Sequence, residues 1–134
     1  MTDASMPLLG ATQLKRLAHT PPSQCQCALR NCLGWESVSD ERWPAAHMRG
    51  AGTLRQPLPE GQTEASFEEH HPQGTRYDSP QAPIALDFFP FNRCDVYTCT
   101  RCGCAALKYT EFGGYYLDHR VRLVDAQWVV VDAG

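Results

Sequence analysis

Four of the seven cysteines of this chain lie within the stretch CDVYTCTRCGC, from Cys94 to Cys104. Such a cluster can be a metal site, a redox couple, an activated nucleophile or a group of small apolar side chains. Cys99, Cys102 and Gly103 have the pattern of a zinc knuckle, in which two thiolates three residues apart bind one tetrahedral ion. The glycine allows the positive φ that turns backbone N–H groups toward the sulfurs. We therefore expect a knuckle-like hairpin between two strand-like runs.

A structural zinc site needs four ligands, and a single knuckle supplies two. Cys104 follows the knuckle and would pair near Tyr97, one step below the hairpin tip, while Cys27 can be delivered from the N-terminal part of the chain. Cys94 lies about 16 Å of extended chain away from Cys99 and joins only if the chain curls. The predicted zinc ligands are Cys99, Cys102, Cys104 and Cys27. The alternative is a knuckle-shaped hairpin that holds no metal and whose thiols only pack.

Two other uses of these thiols are weaker predictions. A thioredoxin-like CxxC begins a helix, whereas this one is followed by the strand-like run AALKYTEF. A cysteine nucleophile needs a positioned base. In the simplest hairpin register His119 faces Lys108 and has no carboxylate beside it. The sequence also lacks a phosphate-binding glycine loop and the GxSxG and HExxH motifs. We therefore expect no enzymatic activity.

Composition and charge disfavour several classes of protein. The 134 residues are enough for a single domain with one core. The net charge is −3 and the twelve basic residues are scattered, whereas a nucleic-acid-binding protein needs a clustered basic surface. No apolar run reaches the roughly 18 residues of a membrane span, and the N-terminus does not have the pattern of a signal peptide. The odd number of cysteines in such a chain predicts a cytoplasmic protein with reduced thiols.

The N-terminal third has helical patterns. Residues 8–18 predict a short helix that ends before Pro21-Pro22. Residues 23–34 predict a second helix, with a capping box at its start and Gly34 at its end. One face of that helix would be buried, and it carries Cys25, Leu29, Cys32 and Leu33. Cys27 falls on the opposite, exposed face. A third short helix is expected from Pro44 to Arg49.

The rest of the chain divides into two parts. Residues 56–90 contain most of the prolines and predict an irregular, acidic segment. Residues 91–134 are β-rich: AALKYTEF, Gly113-Gly114 and YYLDHRVRLV predict a hairpin with a type I′ turn, and WVVV predicts a buried strand. With residues 1–22 as an N-terminal segment, the predicted fold class is α+β. We expect one domain, in which N-terminal helices pack on a small antiparallel sheet with a zinc-knuckle-like hairpin.

Aromatic and acidic side chains indicate where a partner would bind. Aromatic rings surround the predicted hairpin turn beside two arginines, and Tyr, Trp and Arg dominate the binding energy of protein interfaces. The glutamates of the irregular segment would attract a basic partner. The predicted partner-binding residues are Phe112, Tyr115, Tyr116, Glu64, Glu68 and Glu69. The alternative for the rings is that they cover the core face of the sheet.

Two blocks of sequence, GWESVSDERWP and FPFNRCDVYTCTRCGCAALKYTEFGGYYLDHRVR, carry a resemblance. Over about residues 25–131 the chain resembles small proteobacterial proteins of the toxin-immunity type. The knuckle matches at Cys99, Cys102 and Gly103, whereas Cys104 stands where a basic residue is expected. The resemblance implies a cytoplasmic protein without enzymatic activity, whose partner is another protein such as a secreted toxin domain.

Two other function classes stay open. One is a zinc-ribbon-like nucleic-acid or transcription accessory module, which would need a basic face. The other is a small cysteine- or metal-dependent enzyme, which would need a cleft that holds a reactive thiol beside a histidine.

Overall fold

The chain is built around a five-stranded antiparallel sheet with the strand order β1-β5-β4-β3-β2. The computed structural model describes residues 7–24, 29, 32–56, 60–61, 82–113 and 116–131. The strands are β1 (Glu36–Ser37), β2 (Met48–Thr53), β3 (Asp95–Cys99), β4 (Ala105–Gly113) and β5 (Tyr116–Leu123). One α-helix, α1 (Ala11–Leu17), precedes them. The predicted fold class, α+β, is therefore confirmed at the coarse level. Within the described residues, no helix has the length and apolar character needed to cross a lipid bilayer.

Successive side chains of β4 and β5 point to opposite faces of the sheet, and a buried apolar cluster lies on each face. The α1 face packs against α1 and against residues after Ala82. Its buried residues include Leu14, Trp35, Ile84, Phe91, Cys94, Val96, Leu107, Tyr109 and Val129. The Trp43 face packs against residues between Leu29 and Met48. Its buried residues are Leu29, Cys32, Val38, Cys104, Ala106, Val121 and Leu123.

One charged side chain lies inside the α1 face. Arg122 is 1% exposed and lies opposite Leu107 on β4. Its Nη2 donates a hydrogen bond of 2.8 Å to the backbone carbonyl of Ala82, and its guanidinium lies 5.7 Å from the centre of the Phe91 ring. Burial lowers the pKa of Arg122 to about 10, against the opposing effect of Asp125. The hydrogen bond of Arg122 therefore links the backbone at Ala82 to the middle of the sheet.

The first predicted helix, at residues 8–18, is confirmed. The second, at residues 23–34, is wrong in the part that the structure describes. Helix α1 lies within the predicted residues 8–18. After a 3-10 turn at Pro22–Gln24, the described residues 29 and 32–34 are not helical. Leu29 and Cys32 are buried as expected, but Leu33 is 45% exposed. Residues 25–28, which include Cys27, lie outside the described residues.

The backbone around Cys32 bonds to the sheet instead of to a helix. Its N–H closes a turn on the carbonyl of Leu29 at 2.9 Å, and its carbonyl accepts from the N–H of Leu123 on β5 at 2.8 Å. An amphipathic pattern read along the sequence does not include this long-range bond. Tertiary pairing therefore overrides the local helical preference.

The third expected helix, Pro44 to Arg49, is also wrong. Only Ala45–His47 forms a 3-10 turn, and Met48 already begins β2. Glycine is poor in helices, and Gly50 and Gly52 flank the bulge in the pairing of β2 with β3. Gly52 is required there, because an added Cβ would lie 2.5 Å from the Leu9 side chain and 2.7 Å from the Pro7 carbonyl oxygen.

The predicted β-hairpin exists, but its register differs. Gly113 pairs with Tyr116, so the turn is one residue later than the predicted Gly113-Gly114 turn. His119 therefore lies opposite Thr110, and Lys108 lies opposite Val121. The shift moves every partner by two residues, which keeps each side chain on its predicted face. Turn propensity located the hairpin tip, whereas packing on both faces of the sheet sets its register.

The last predicted strand, WVVV, is wrong. Ala126–Trp128 forms a 3-10 turn, and the carboxylate of Asp125 accepts the Gln127 N–H at its start. Val129 is buried and bridges to Ile84, but Val130 and Val131 are exposed. In the segment predicted to be irregular, the described residues 56, 60–61 and 82–90 contain no helix or strand.

Candidate functional site

The turn between β3 and β4 carries Cys99, Cys102 and Gly103, the residues predicted to form a zinc knuckle. The Gly103 N–H donates to the carbonyl of Cys99 at 2.8 Å, and the Cys99 N–H donates to the carbonyl of Cys104 at 2.9 Å. Gly103 has a φ of 80°, the left-handed conformation expected for it. The backbone of Cys104 thus pairs with the backbone of Cys99. We expected Cys104 to pair near Tyr97, but Tyr97 pairs with Ala106. The partner of Cys104 is therefore two residues further along β3 than the sequence indicated.

The knuckle is held against the chain that follows α1. A Cβ added to Gly103 would lie 2.9 Å from the Thr20 hydroxyl and 3.6 Å from the His19 ring. The Cys104 thiol lies 3.8 Å from the carbonyl oxygen of Pro21. Cys99 and Cys104 are buried and Cys102 is half-buried. The histidine ring and the three thiols therefore share one end of the sheet.

Metal binding at the knuckle stays a prediction. Among the described residues, no three His, Cys, Asp or Glu side chains come together in a way that could hold a metal ion. Cys27, the fourth predicted ligand, lies outside those residues. Leu29, two positions after Cys27 in the sequence, packs in the same cluster as Cys104, and Cys102 packs against that cluster.

Cys94 is separate from the knuckle. Its side chain is fully buried on the α1 face, and its thiol donates to the carbonyl of Pro90 at 3.3 Å. Burial raises the pKa of Cys94 well above its ordinary value, and the negative charge of Asp95 adds to the effect. It is a neutral core thiol at physiological pH, without the thiolate character that metal binding or nucleophilic attack requires.

A second candidate site lies at the far end of the β4–β5 hairpin. The pairing of β3 with β4 ends at Lys108, and β1 pairs with β5 only at Arg120 and Val121. Beyond these points the hairpin continues as a two-stranded ribbon. On it, Leu117 is 59% exposed, the highest value among the exposed large hydrophobic residues of the described part of the chain.

The predicted partner-binding residues lie on or outside this ribbon. Phe112 is on β4 opposite Leu117, and Tyr116 begins β5. Their side chains lie outside the described part of the chain, as do the whole residues Tyr115, Glu64, Glu68 and Glu69. Sequence reasoning missed Leu117. The alternation of apolar and polar residues along YLDHRVRL placed it on a face that is buried further along the strand, and only the length of the neighbouring strands shows that it is exposed.

Carboxylates also lie on this ribbon, on the face opposite to Leu117, because successive side chains of a strand point to opposite faces. Glu111 and Asp118 lie opposite each other on the ribbon. Arg120 lies between them, with its Nε 3.5 Å from a Glu111 oxygen and its Nη1 3.3 Å from an Asp118 oxygen. The Ser37 hydroxyl of β1 also donates to Asp118, at 3.1 Å. We call the carboxylates on and around β1 and the ribbon the acidic edge; they are Glu36, Asp40, Glu41, Glu111 and Asp118.

His119 has a carboxylate near it, contrary to the prediction. Its Nδ1 lies 3.0 Å from the Thr110 hydroxyl, and its Nε2 lies 3.5 Å from an Asp40 oxygen. Hydroxyl, imidazole and carboxylate are thus in the order used by nucleophilic enzymes. The Asp40 side chain is 88% exposed, however, and 3.5 Å exceeds a good hydrogen bond. Such a carboxylate does not hold an imidazole in place, so the contact is a weak surface ion pair.

Comparisons with protein-family models, with curated proteins and with solved structures found no match for this chain. The resemblance to proteins of the toxin-immunity type therefore stays a prediction.

Proposed function

We propose that this chain is a small cytoplasmic protein-binding module, without enzymatic activity, that docks a basic surface of another protein on its acidic edge. Neutralisation of a secreted toxin domain is the most specific form of this function. The observation that carries the proposal is the exposure of Leu117 on a hairpin that also holds the carboxylates of the acidic edge. Of the aromatic residues predicted from the sequence, Phe112 and Tyr116 belong to the strands of the same hairpin.

A binding hot spot usually has an apolar side chain at its centre and polar or charged side chains at its rim. The apolar centre supplies free energy when a partner covers it, and the rim excludes water and selects the partner. Full burial of a leucine side chain contributes about 1.5–3 kcal/mol. Leu117 lies on a strand of the sheet and not on a loop, so little conformational entropy is lost when a partner binds it.

The sign of the charge identifies the class of partner. The acidic edge holds five carboxylates, and the arginines near it are Arg42 and Arg120. Arg120 is engaged with Glu111 and Asp118, and Arg42 lies 3.7 Å from the Cys32 sulfur. A net negative surface repels phosphate and attracts cationic proteins, and it speeds their association. Glu64, Glu68 and Glu69 of the irregular segment would add to this field.

Zinc at the knuckle is the structural part of the proposal. Cys99, Cys102 and Cys104 would be ligands, with Cys27 as the fourth. The backbone of the knuckle supports this, since Gly103 has the positive φ that such a turn uses. A tetrahedral thiolate site is closed and structural, so the metal would stabilise one end of the sheet and take no part in chemistry.

The test takes the products of the genes on either side of this one as candidate partners and measures the binding of a basic one by titration calorimetry and by stopped-flow kinetics. Leu117→Ala should speed dissociation, and Asp40→Lys together with Glu41→Lys should slow association and weaken its salt dependence. Leu33→Ala is the matched control, because Leu33 is also an exposed leucine but lies off the hairpin. Equal loss of affinity for Leu33→Ala and Leu117→Ala, or tighter binding after charge reversal, would refute the proposal.

A further inference from the structure

Among the described residues, none pairs with the outer edge of β5 beyond Val38, which directly follows β1. The Ser39 carbonyl accepts hydrogen bonds from the N–H groups of Arg42 at 3.1 Å and Trp43 at 3.0 Å, and the Ser39 hydroxyl accepts from Arg42 at 3.2 Å. This turn takes the chain away from the sheet directly after Val38. The last bond across the edge runs from the Val38 N–H to the His119 carbonyl at 2.8 Å.

The backbone of Leu117 points into the space beyond that last bond. The His119 carbonyl and the Leu123 N–H both bond toward the β1 side of β5. Backbone groups of alternate residues in a strand point to the same side, so the N–H and carbonyl of Leu117 also point there. No described residue forms a hydrogen bond with either group. Leu117 thus presents a hydrogen-bond donor, a hydrogen-bond acceptor and an exposed apolar side chain.

In the part of the chain that the structure describes, nothing pairs with the edge of β5 beyond Val38. Lysine, proline and a covering segment are three of the features that blunt natural edge strands. Neither β1 nor β5 contains lysine or proline. Asp118 follows Leu117 in the strand, and its side chain lies on the other face, where Arg120 contacts it; Asp40 lies beside His119, on the face of Leu117. An edge of this kind accepts an added strand of opposite charge.

We infer that the partner adds an extended, lysine- or arginine-rich strand to β5 beyond Val38, with backbone hydrogen bonds to Leu117. This inference rests on the proposed function and specifies its mode of recognition. Main-chain bonds to Leu117 supply part of the affinity, and basic side chains at alternate positions of the added strand meet the carboxylates. A second copy of the chain is less favourable as the added strand, because it would bring two acidic edges together. Like charges directly opposite each other in a strand pair are destabilising.

The experiment uses three short peptides as probes of the full-length chain. The first alternates lysine with valine, the second is the same peptide with N-methylated backbone amides, and the third alternates glutamate with valine. Amide hydrogen exchange and chemical shifts are followed by NMR. In the free protein the Leu117 amide should exchange rapidly, and the lysine peptide should slow its exchange by about tenfold or more at saturation. The N-methylated peptide should bind at least about tenfold more weakly, since it cannot donate the backbone bonds.

Two variants separate the backbone from the side chain. Leu117→Pro removes the outward N–H and is tolerated at an open edge, so the protein should stay folded and lose lysine-peptide binding. Leu117→Ala keeps both backbone groups and should lose less. If Leu117→Pro unfolds the protein, the N-methylated peptide still decides the matter.

The outcomes distinguish the two proposals. Binding of the lysine peptide that N-methylation leaves unchanged would overturn strand addition but leave a basic partner on the acidic edge. Equal binding of the glutamate peptide, or no binding of the lysine peptide, would overturn both. A protected Leu117 amide in the free monomer, or a dimer in solution that Leu117→Pro dissociates, would show that the edge is already occupied and overturn strand addition.

Discussion

Glu111 and Asp118 lie directly opposite each other on the ribbon, and Arg120 bridges them at 3.5 Å and 3.3 Å. Two like charges in a cross-strand pair destabilise a hairpin. The single positive charge of the guanidinium reduces the repulsion between the two carboxylates and leaves the three side chains net negative. The same three residues therefore stabilise the ribbon and give it the charge that the proposed partner would recognise.

Replacement of this arginine should weaken the ribbon through charge. We expect Arg120→Leu to lower the free energy of unfolding by about 0.5–1 kcal/mol, because the Glu111 and Asp118 charges then repel each other. The added variant Glu111→Gln should restore most of the loss, and high salt should reduce it. Urea unfolding of the two single variants and the double variant measures the coupling. A loss that neither Glu111→Gln nor salt recovers would show that the arginine acts through packing.

A buried thiol on the other side of the molecule should make stability depend on pH. Burial, with Asp95 nearby, raises the pKa of Cys94 well above its ordinary 9.0. Below that pH the thiol is neutral in the folded and unfolded states, and stability is unaffected. Above it the unfolded chain loses the proton and the folded chain keeps it. The free energy of unfolding should then fall by about 1.4 kcal/mol per pH unit from this group.

Cys94→Ala should remove this slope. The variant should be less stable at every pH because it leaves a cavity, but its stability should fall less steeply from about pH 8 to about pH 10. Cys102→Ala is the control, because Cys102 is half-buried and lies at the knuckle. Urea titrations at several pH values give the slopes. Parallel curves for the wild type and Cys94→Ala would show that Cys94 ionises equally in both states.

Features that depend on a few neighbouring residues could be predicted from the sequence. Helix α1 needed only an apolar periodicity and the two prolines after it. The left-handed φ of Gly103 followed from the knuckle pattern, and the β4–β5 hairpin followed from its strand-like runs and glycines. In each case the determining contacts lie within about ten residues of one another.

Features that depend on distant segments could not. The carbonyl of Cys32 bonds to Leu123, which is far away in the sequence, and the described residues 29 and 32–34 are not helical. The exposure of Leu117 depends on where β1 ends, and β1 has only two residues. The apolar periodicity placed Leu117 on the correct face of the sheet. It could not show that no described residue covers this side chain. The acidic edge likewise joins residues near Glu36 to residues near Asp118, and only the strand order brings them together.

The glycine of the knuckle should be hard to replace for two separate reasons. Gly103 has a φ of 80°, and a Cβ there would lie 2.9 Å from the Thr20 hydroxyl. Gly61 has a φ of 89° with no atom within 4 Å of the added Cβ, so it is the matched control. We expect Gly61→Ala to cost about 1–2 kcal/mol from the backbone alone and Gly103→Ala to cost more. Thermal melts decide this, and equal losses would show that Thr20 moves aside freely.

The remaining prediction concerns zinc. If Cys99, Cys102, Cys104 and Cys27 hold a structural ion, the purified protein should contain about one equivalent by elemental analysis, and a chelator should lower its melting temperature, because metal binding is coupled to folding. Cys102→Ser should remove the metal, whereas Cys94→Ser, on the other face of the sheet, should retain it. Thiol labelling adds a second readout, since Cys102 should react only after chelation while Cys94 stays protected by burial. A metal-free protein in which Cys102 reacts at once and the chelator changes nothing would mean that the three knuckle cysteines only pack. The stability of this end of the sheet would then come from the contacts of Gly103 and Cys104 with residues 19–21.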